Sequence, residues 1–168
     1  MLPLTKVSHE HHELLWGYVN QLNDLADCLN CDCLDTARLI GQLPQLRQVH
    51  EGLVNLLIPH MEAVEAAVYP TLERLLAGRG TIVPMAAEHE EIRRLVASLG
   101  AFVDDDPAEH VDRATVLALR RVLLRLYGLL KAHLSEEELY LPILEDRLNS
   151  AEEAALARAL DHLVDQRL

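Results

Sequence analysis

Aromatic residues, glycine and proline are all scarce in this sequence. One Trp, one Phe and four Tyr make up 4% of its 168 residues, and there are seven Gly and seven Pro. Strands favour β-branched and aromatic side chains, whereas the abundant Leu and Ala of this chain suit helices. The composition therefore predicts an all-α fold. The length predicts a single domain over residues 1–168, and the 50% of hydrophobic residues suffices for one sizeable core.

Long apolar runs and basic residues are also missing. No run approaches the ~20 apolar residues that span a bilayer, and Met1 to Glu10 lacks the basic-then-apolar layout of a secretion signal. The 27 acidic residues outnumber the 15 basic ones, so the formal net charge is −12. Nucleic acids and anionic membranes attract clustered Lys and Arg. We therefore expect a cytoplasmic protein that binds neither nucleic acid nor membrane.

Cysteine is confined to one short stretch, DCLNCDCLD. An odd number of thiols so close together does not form a disulfide framework. The spacing C-x2-C-x-C resembles thiolate metal clusters, which leaves a soft-metal or redox patch open. A loop with incidental thiols is the favoured interpretation. The three residues are Cys28, Cys31 and Cys33.

An apolar residue recurs at every third or fourth position through most of the chain, which indicates amphipathic helices. The pattern predicts four long helices over residues 5–29, 46–77, 83–103 and 108–147. It also predicts a short helical piece over residues 36–42 and a capped C-terminal helix over residues 151–166. Pro59 and Pro70 are expected to interrupt or kink the second long helix. Short connections predict an antiparallel up-down-up-down four-helix bundle with a short extra C-terminal helix.

Two internal repeats surround four histidines. The segment HMEAVEAAVYPTLERL from His60 resembles HLSEEELYLPILEDRL from His133, and HELLWGYVNQL from His12 resembles HEEIRRLVASL from His89. At ~100° per residue, each of these histidines shares a helix face with core residues of its own helix. Each long helix is therefore expected to direct one imidazole into the bundle interior.

These histidines and Glu137 together predict a metal site. Four buried imidazoles without a common partner would cost several kcal/mol in total, whereas a shared metal uses their lone pairs. Glu137 lies one turn after His133 on the same face, where an unpaired carboxylate would be unfavourable. Imidazole and carboxylate ligands without thiolate suit iron, manganese or zinc, and bundle interiors commonly hold such sites.

The order of these motifs over four helices resembles the hemerythrin-like (HHE cation-binding) domain family, across about residues 9–148. The Y-P and L-P endings of helices two and four and the E-H-x-x-I start of helix three are similar to that family as well. The resemblance implies a non-haem iron centre of two ions, with one ion, or zinc or manganese, as alternatives. The ligands that it implies are His12, His60, Glu65, His89, His133 and Glu137.

On helix two the chain departs from the family pattern. The family has Glu four residues after the histidine of helix two, where this chain has Val64. Glu65 is the substitute, but it points ~140° away from His60 on an ideal helix and needs a local bulge to reach the metal. His9 and His11 are weaker alternatives to His12, and the repeat favours His12.

The resemblance implies a protein that binds or senses dioxygen, nitric oxide or iron. A di-iron oxidoreductase acting on peroxide, catalase- or ferroxidase-like, is an alternative, and so is a bundle with a degenerate mononuclear iron or zinc site, which Val64 favours. Whether the chain is an enzyme stays open, as do contributions from Tyr69 and Tyr140. The expected partner is a small diatomic or peroxide ligand, and a protein partner or a homodimer stays open. His50, His110 and His162 are expected on the surface.

Overall fold

Helices make up almost all of the chain that the computed structural model describes, which is residues 4–29, 36–76, 82–104 and 112–165. The α-helices are α1 Leu4–Cys28, α2 Thr36–Gly52, α3 Ile58–Ala63, α4 Tyr69–Leu75, α5 Ile82–Asp104, α6 Arg113–Arg147 and α7 Ser150–Asp165. No strand occurs in the described ranges, and the predicted all-α fold is confirmed.

Helices α2, α3 and α4 form one continuous unit, called here the composite helix. Its joints are two π-helical turns, Leu53–Leu57 and Val64–Val68. In the second turn the N–H of Tyr69 donates to the carbonyl of Val64, five residues back, and Pro70 follows at once. In the first turn the N–H of Ile58 donates to the carbonyl of Leu53, and Pro59 follows in the same way. Proline has no N–H and crowds the preceding turn, so the expected interruptions take the form of local widening.

The composite helix begins ten residues earlier than the predicted start at residue 46, because α2 starts at Thr36. The predicted break between residues 42 and 46 is wrong, since Pro44 lies inside α2. Leu39, Leu43 and Leu46 are all buried along one face of α2. Their packing maintains the helix across the one hydrogen bond that Pro44 cannot make.

Neighbouring bundle helices contact each other in opposite chain order. Between α1 and α6, Trp16 Nε1 donates to Glu138 while Arg120 Nε donates to the carbonyl of Ala26. Such a reversal requires antiparallel helices. Three other pairs of neighbouring helices show the same reversal. Helix α1 and the composite helix meet at His12–His60 and Tyr18–Gly52. The composite helix and α5 meet at Glu65–His89 and His50–Gly100, and α5 and α6 meet at Glu88–His133 and Glu91–Arg125.

Two apolar clusters fill the bundle. The larger cluster joins α1, α2, α5 and α6, and the second joins the end of the composite helix, the start of α5, the end of α6 and α7. Helix α7 contributes Leu156, Ala157 and Leu160 to the second cluster and begins in a capping box in which Asn149 and Glu152 bond each other's backbone N–H groups. Among the described helices, none is both long and apolar enough to cross a membrane.

Candidate metal centre

A layer of polar side chains separates the two apolar clusters. His12, His60, His89 and His133 are 0–2% exposed and come from α1, α3, α5 and α6, one from each helix of the bundle. Glu137 of α6 joins them at 7% exposure. Each helix thus contributes one imidazole, as the repeats predict, because its histidine shares a face with buried residues of its own helix.

Glu137 lies at the centre of this layer. Its Oε2 is 3.2 Å from Nε2 of His12 and 3.1 Å from Nε2 of His60. Its Oε1 is 3.3 Å from Nε2 of His133 and 3.8 Å from Nε2 of His89. The carboxylate therefore joins two sets of ligand atoms, each with all atoms within 4.8 Å of one another. We call them the His12–His60 position and the His89–His133 position.

In each imidazole of the layer, Nε2 faces the centre and is called the inner nitrogen, and Nδ1 is called the outer nitrogen. The partners of the outer nitrogens of His89 and His133 indicate how the inner nitrogens are protonated. Nδ1 of His89 donates to Glu65 at 2.6 Å, and Nδ1 of His133 donates to Glu88 at 2.8 Å. With hydrogen on Nδ1, each neutral ring has a lone pair on Nε2. These two Nε2 atoms are only 2.8 Å apart. Two lone pairs so close repel each other, so either one ring also carries a proton on Nε2 or both nitrogens bind one cation, and the donor set fits a metal.

The ionisation of Glu137 also favours a bound cation. Burial raises its pKa, but hydrogen bonds from His12, His133 and His60 lower it more, so the pKa lies well below the ordinary range. Within the described residues its Oε1 forms no hydrogen bond of good geometry, although Nε2 of His133 lies 3.3 Å away. An ionised carboxylate with an unused oxygen in a protein interior is stabilised by a bound metal ion.

Glu65 lies on the far side of His89 from the layer's centre. Its second oxygen accepts from Nη2 of Arg93 at 2.8 Å. Burial raises the pKa of Glu65, but the hydrogen bonds from Arg93 and His89 lower it further, and the net shift is downward. The π-helical turn Val64–Val68 provides the bulge that Glu65 needs to leave the ideal helical direction. Since Glu65 contacts Nδ1 rather than the Nε2 side, its role as a ligand stays a prediction.

The outer nitrogens of His12 and His60 differ from those of the other pair. Both Nδ1 atoms are buried, and neither has a hydrogen-bond partner in the described part of the chain. On the Nδ1 side of His12 lies Glu138, whose Oε1 is 3.7 Å from Nδ1 and accepts instead from Trp16. The two candidate ligand sets therefore have unequal surroundings.

The remaining candidate histidines lie beside the layer. His9 is exposed and its Nε2 is 3.3 Å from Glu13. His11 is buried, with its ring 6.0 Å from that of His60 in an edge-to-face contact. His50, expected on the surface, is partly exposed and packs against Gly100. Cys28 is partly buried, whereas Cys31, Cys33, His110 and the side chain of His162 lie outside the described residues.

Tyr69 lies against His89. Its hydroxyl is 3.1 Å from Nε2 of His89, and the two rings stack with centroids 5.3 Å apart. Burial and the charges of Glu137 and Glu65 raise the pKa of Tyr69, so the phenol stays protonated. Tyr140 is partly buried and packs on the second apolar cluster.

A small cavity adjoins the layer. Its volume is about 20 Å³, and its lining includes His60, Glu137, Tyr69, Val64 and Met85. A cavity needs at least ~10–15 Å³ on this measure to hold one water molecule. The space next to Glu137 therefore admits a molecule of only a few atoms.

Two residues of this layer were not identified from the sequence. Glu88 hydrogen-bonds His133 from another helix, and Arg93 holds Glu65. A signal was available for both, because Glu88 directly precedes His89 and Arg93 follows it by one turn. Charged residues beside a histidine expected to be buried are candidates for its hydrogen-bonding partners.

The antiparallel helices and the buried His and Glu layer define a helical bundle with a candidate metal-binding centre. The family model for the Hemerythrin HHE cation binding domain matches residues 3–144, and the chain belongs to this family. The expected family is thus confirmed. No curated protein and no solved structure matches the chain.

Proposed function

We propose that this protein holds two iron ions, one at the His12–His60 position and one at the His89–His133 position, and binds or senses dioxygen, nitric oxide or iron. The observation that carries the proposal is the placement of Glu137, which has an imidazole pair on each of its two oxygens. A carboxylate so placed can bridge two ions. Four imidazoles and one carboxylate suit iron, with zinc or manganese as alternatives.

Iron, when bound, supplies the redox and Lewis-acid chemistry that capture of a diatomic molecule requires. The chain's own residues hold the ions and select the ligand. Val64 and Met85 give the cavity apolar walls beside His60 and Glu137. The volume of about 20 Å³ limits the ligand to the size of dioxygen, nitric oxide or peroxide.

The test is to load metal-free protein with ferrous iron without oxygen and then to measure iron per chain and gas uptake. We expect two iron ions per chain and reversible uptake of dioxygen or nitric oxide. The uptake is monitored by absorption of visible light. Loaded protein that takes up neither gas would overturn the gas-binding role. A chain that binds no iron under these conditions would overturn the metal role as well.

Oxidoreduction of peroxide is the second candidate, and the phenol of Tyr69 favours it. A protonated hydroxyl at a cavity beside Glu137 can donate a hydrogen bond to a small oxygen ligand. Consumption of hydrogen peroxide over many turnovers by iron-loaded protein, with a loss of about 10²-fold or more in Tyr69→Phe, would favour this function. Consumption of no more than one peroxide per chain would exclude it.

A single-ion site is the third candidate, because Val64 occupies the place of a carboxylate expected in the family. The iron count per chain separates it from the first two. One firmly bound ion in the wild type, whatever the excess of iron, would favour the single-ion site.

A further inference from the structure

We propose that two copies of this chain associate through the outer side of the composite helix, where it faces away from the bundle. Six residues spaced alternately by four and by three positions form a stripe along this side, called here the outer stripe. Its members are Ile40, Pro44, Arg47, Glu51, Val54 and Ile58. The first five are exposed and the last is partly exposed. Three features support the proposal, namely the scarcity of acidic residues, the exposed apolar side chains and the symmetry of the stripe.

The composite helix carries little negative charge over the length of the stripe. Between Asp35 and Glu62 the only acidic residue is Glu51, although the chain has 27 acidic residues and a formal net charge of −12. Two such acidic molecules repel each other, and the repulsion is weakest where these segments meet. Depletion of charged residues is also the compositional feature that marks the centre of a protein–protein interface.

The composite helix has apolar residues on its outer side as well as on its buried side. Leu43 and Leu46 are buried in the bundle, yet Ile40 is 42% and Val54 is 39% exposed. Gly41 lies beside Ile40, and a Cβ there would meet nothing within 4 Å. Glycine in an exposed helix is less stable than alanine, but it lets another backbone approach closely. A helix that is apolar on both sides is one that buries both sides.

The outer stripe complements itself when a second copy packs against it in the antiparallel direction. Its residues lie symmetrically about position 49, so a twofold axis there places Ile40 opposite Ile58 of the second copy. The alternating spacing of four and three residues is the one along which two helices pack. A dimer with twofold symmetry requires such a self-complementary surface.

The two charged residues of the outer stripe favour the antiparallel direction. In that arrangement Arg47 of each copy faces Glu51 of the other, whereas a parallel pair would place like charges opposite each other. Like charges across an interface are strongly unfavourable. Within one helix, a basic residue four positions before an acidic one is the less favourable order for an ion pair. Contact between two copies therefore gives each of these side chains a better partner.

The size of the outer stripe indicates a weak dimer. A helix rises about 27 Å over these 19 positions and is about 10 Å wide. Stable complexes bury about 800 Å² on each partner, which one helix face of this size does not supply. We therefore expect a reversible equilibrium between monomer and dimer that shifts with protein concentration.

Sedimentation equilibrium of wild-type protein and of charge variants tests the proposal. We expect wild type to be half dimeric at about 100 μM, as suits a small interface. Arg47→Glu brings two acidic residues together and should weaken the dimer by about 10-fold or more, and Glu51→Arg should weaken it similarly. Arg121→Glu, at an exposed position of α6, is the matched control for net charge and should change the dimer much less than Arg47→Glu does.

A mixture of variants distinguishes a lost contact from a lost fold. The Arg47→Glu copy has two acidic residues in the middle of the stripe, and the Glu51→Arg copy has two basic ones. Their 1:1 mixture should therefore form a heterodimer at least as stable as the wild-type dimer, although each variant alone associates poorly. A mixture of Glu51→Arg with Arg121→Glu has the same net charges and should associate less.

Three results would overturn the proposal. The first is wild-type protein that stays monomeric at about 1 mM, where even a weak interface would be occupied. The second is an Arg47→Glu variant that dimerises as well as wild type, which would place the contact elsewhere. The third is a mixture of Arg47→Glu and Glu51→Arg that associates no better than either variant alone.

Discussion

Glu65 connects two hydrogen-bond donors at the edge of the polar layer, the guanidinium of Arg93 and the imidazole of His89. Since their hydrogen bonds hold the pKa of Glu65 below its ordinary value of 4.5, the ionised form stabilises the folded state. A lowered carboxyl pKa contributes stability above the unfolded-state pKa, and this contribution is lost as the pH falls through the folded-state pKa. Solvent exposure of 34% reduces its size.

We therefore expect metal-free wild type to be more stable than Glu65→Gln near neutral pH, with the difference shrinking below about pH 4.5. Chemical unfolding at about pH 7 and about pH 3.5, in the presence of a chelator, measures it. Glu73→Gln, an exposed substitution on the same composite helix, is the control and should show little difference at either pH. A Glu65→Gln difference that is constant with pH would contradict the ionised contact.

Val64 stands where the family resemblance predicts a carboxylate, and it lies 4% exposed on the wall of the cavity. Val64→Glu would bury a carboxylate there, at a cost on the order of several kcal/mol without metal. Bound metal should recover much of this loss by pairing with the new carboxylate. We expect the rise in unfolding temperature on iron loading to be larger in Val64→Glu than in wild type.

Val64→Gln is the control for that substitution, because it has a similar size and no charge. In Val64→Gln the rise in unfolding temperature on iron loading should be no larger than in wild type. If Val64→Glu gained no more from iron than Val64→Gln does, residue 64 would not face a metal position.

The burial of the four histidines was predictable from the sequence, whereas the carboxylates that accept from their Nδ1 atoms were not. A buried histidine follows from helical periodicity within its own segment, and the repeat adds a second copy of the same pattern. Glu88 supports His133 on another helix, so its role depends on how α5 and α6 pack. Glu65 depends on a π-helical turn, whose effect on side-chain direction periodicity alone does not reveal.

At the scale of elements, the composite helix shows what sequence periodicity can and cannot predict. The ends of α1 and α5 lie within one residue of their predicted positions, because apolar spacing defines them well. Pro44 was interpreted as lying in a gap between two helices, but tertiary packing maintains α2 through it. Proline alters the local hydrogen bonds, and the buried face of the helix decides whether the helix continues.

Gly52, at the first joint of the composite helix, provides the element-scale prediction. Its backbone is helical, with φ −62° and ψ −42°, and a Cβ there would overlap the ring of Tyr18 on α1. Gly52→Ala should therefore destabilise the protein by about 1–3 kcal/mol through overpacking. Urea unfolding of the metal-free protein gives the value.

Gly128 of α6 is the matched control, because a Cβ at that position would meet nothing within 4 Å. Gly128→Ala should stabilise the protein by about 0.5–1 kcal/mol through helix propensity alone. Should both substitutions stabilise the protein equally, the close approach of α1 to the composite helix would be wrong.

At the scale of the whole molecule, the bundle has two apolar clusters with a polar layer between them. Apolar contacts above and below hold the four helices in register, so the imidazoles converge without depending on the metal for their positions. The layer contains an ionised Glu137 and two facing Nε2 atoms 2.8 Å apart, an arrangement that favours a bound cation. The fold and the candidate centre thus follow from the same placement of one histidine per helix.

The central claim is that Glu137 joins two metal positions, and the number of iron ions per chain tests it most directly. Native mass spectrometry of anaerobically loaded protein should show two ions in wild type and in Glu136→Gln, whose exposed side chain lies beside Glu137 on the same helix. Glu137→Gln should lose both ions, because each position has Glu137 as its only carboxylate in the sets described. Two ions retained in Glu137→Gln, or fewer than two bound in the wild type, would contradict the account.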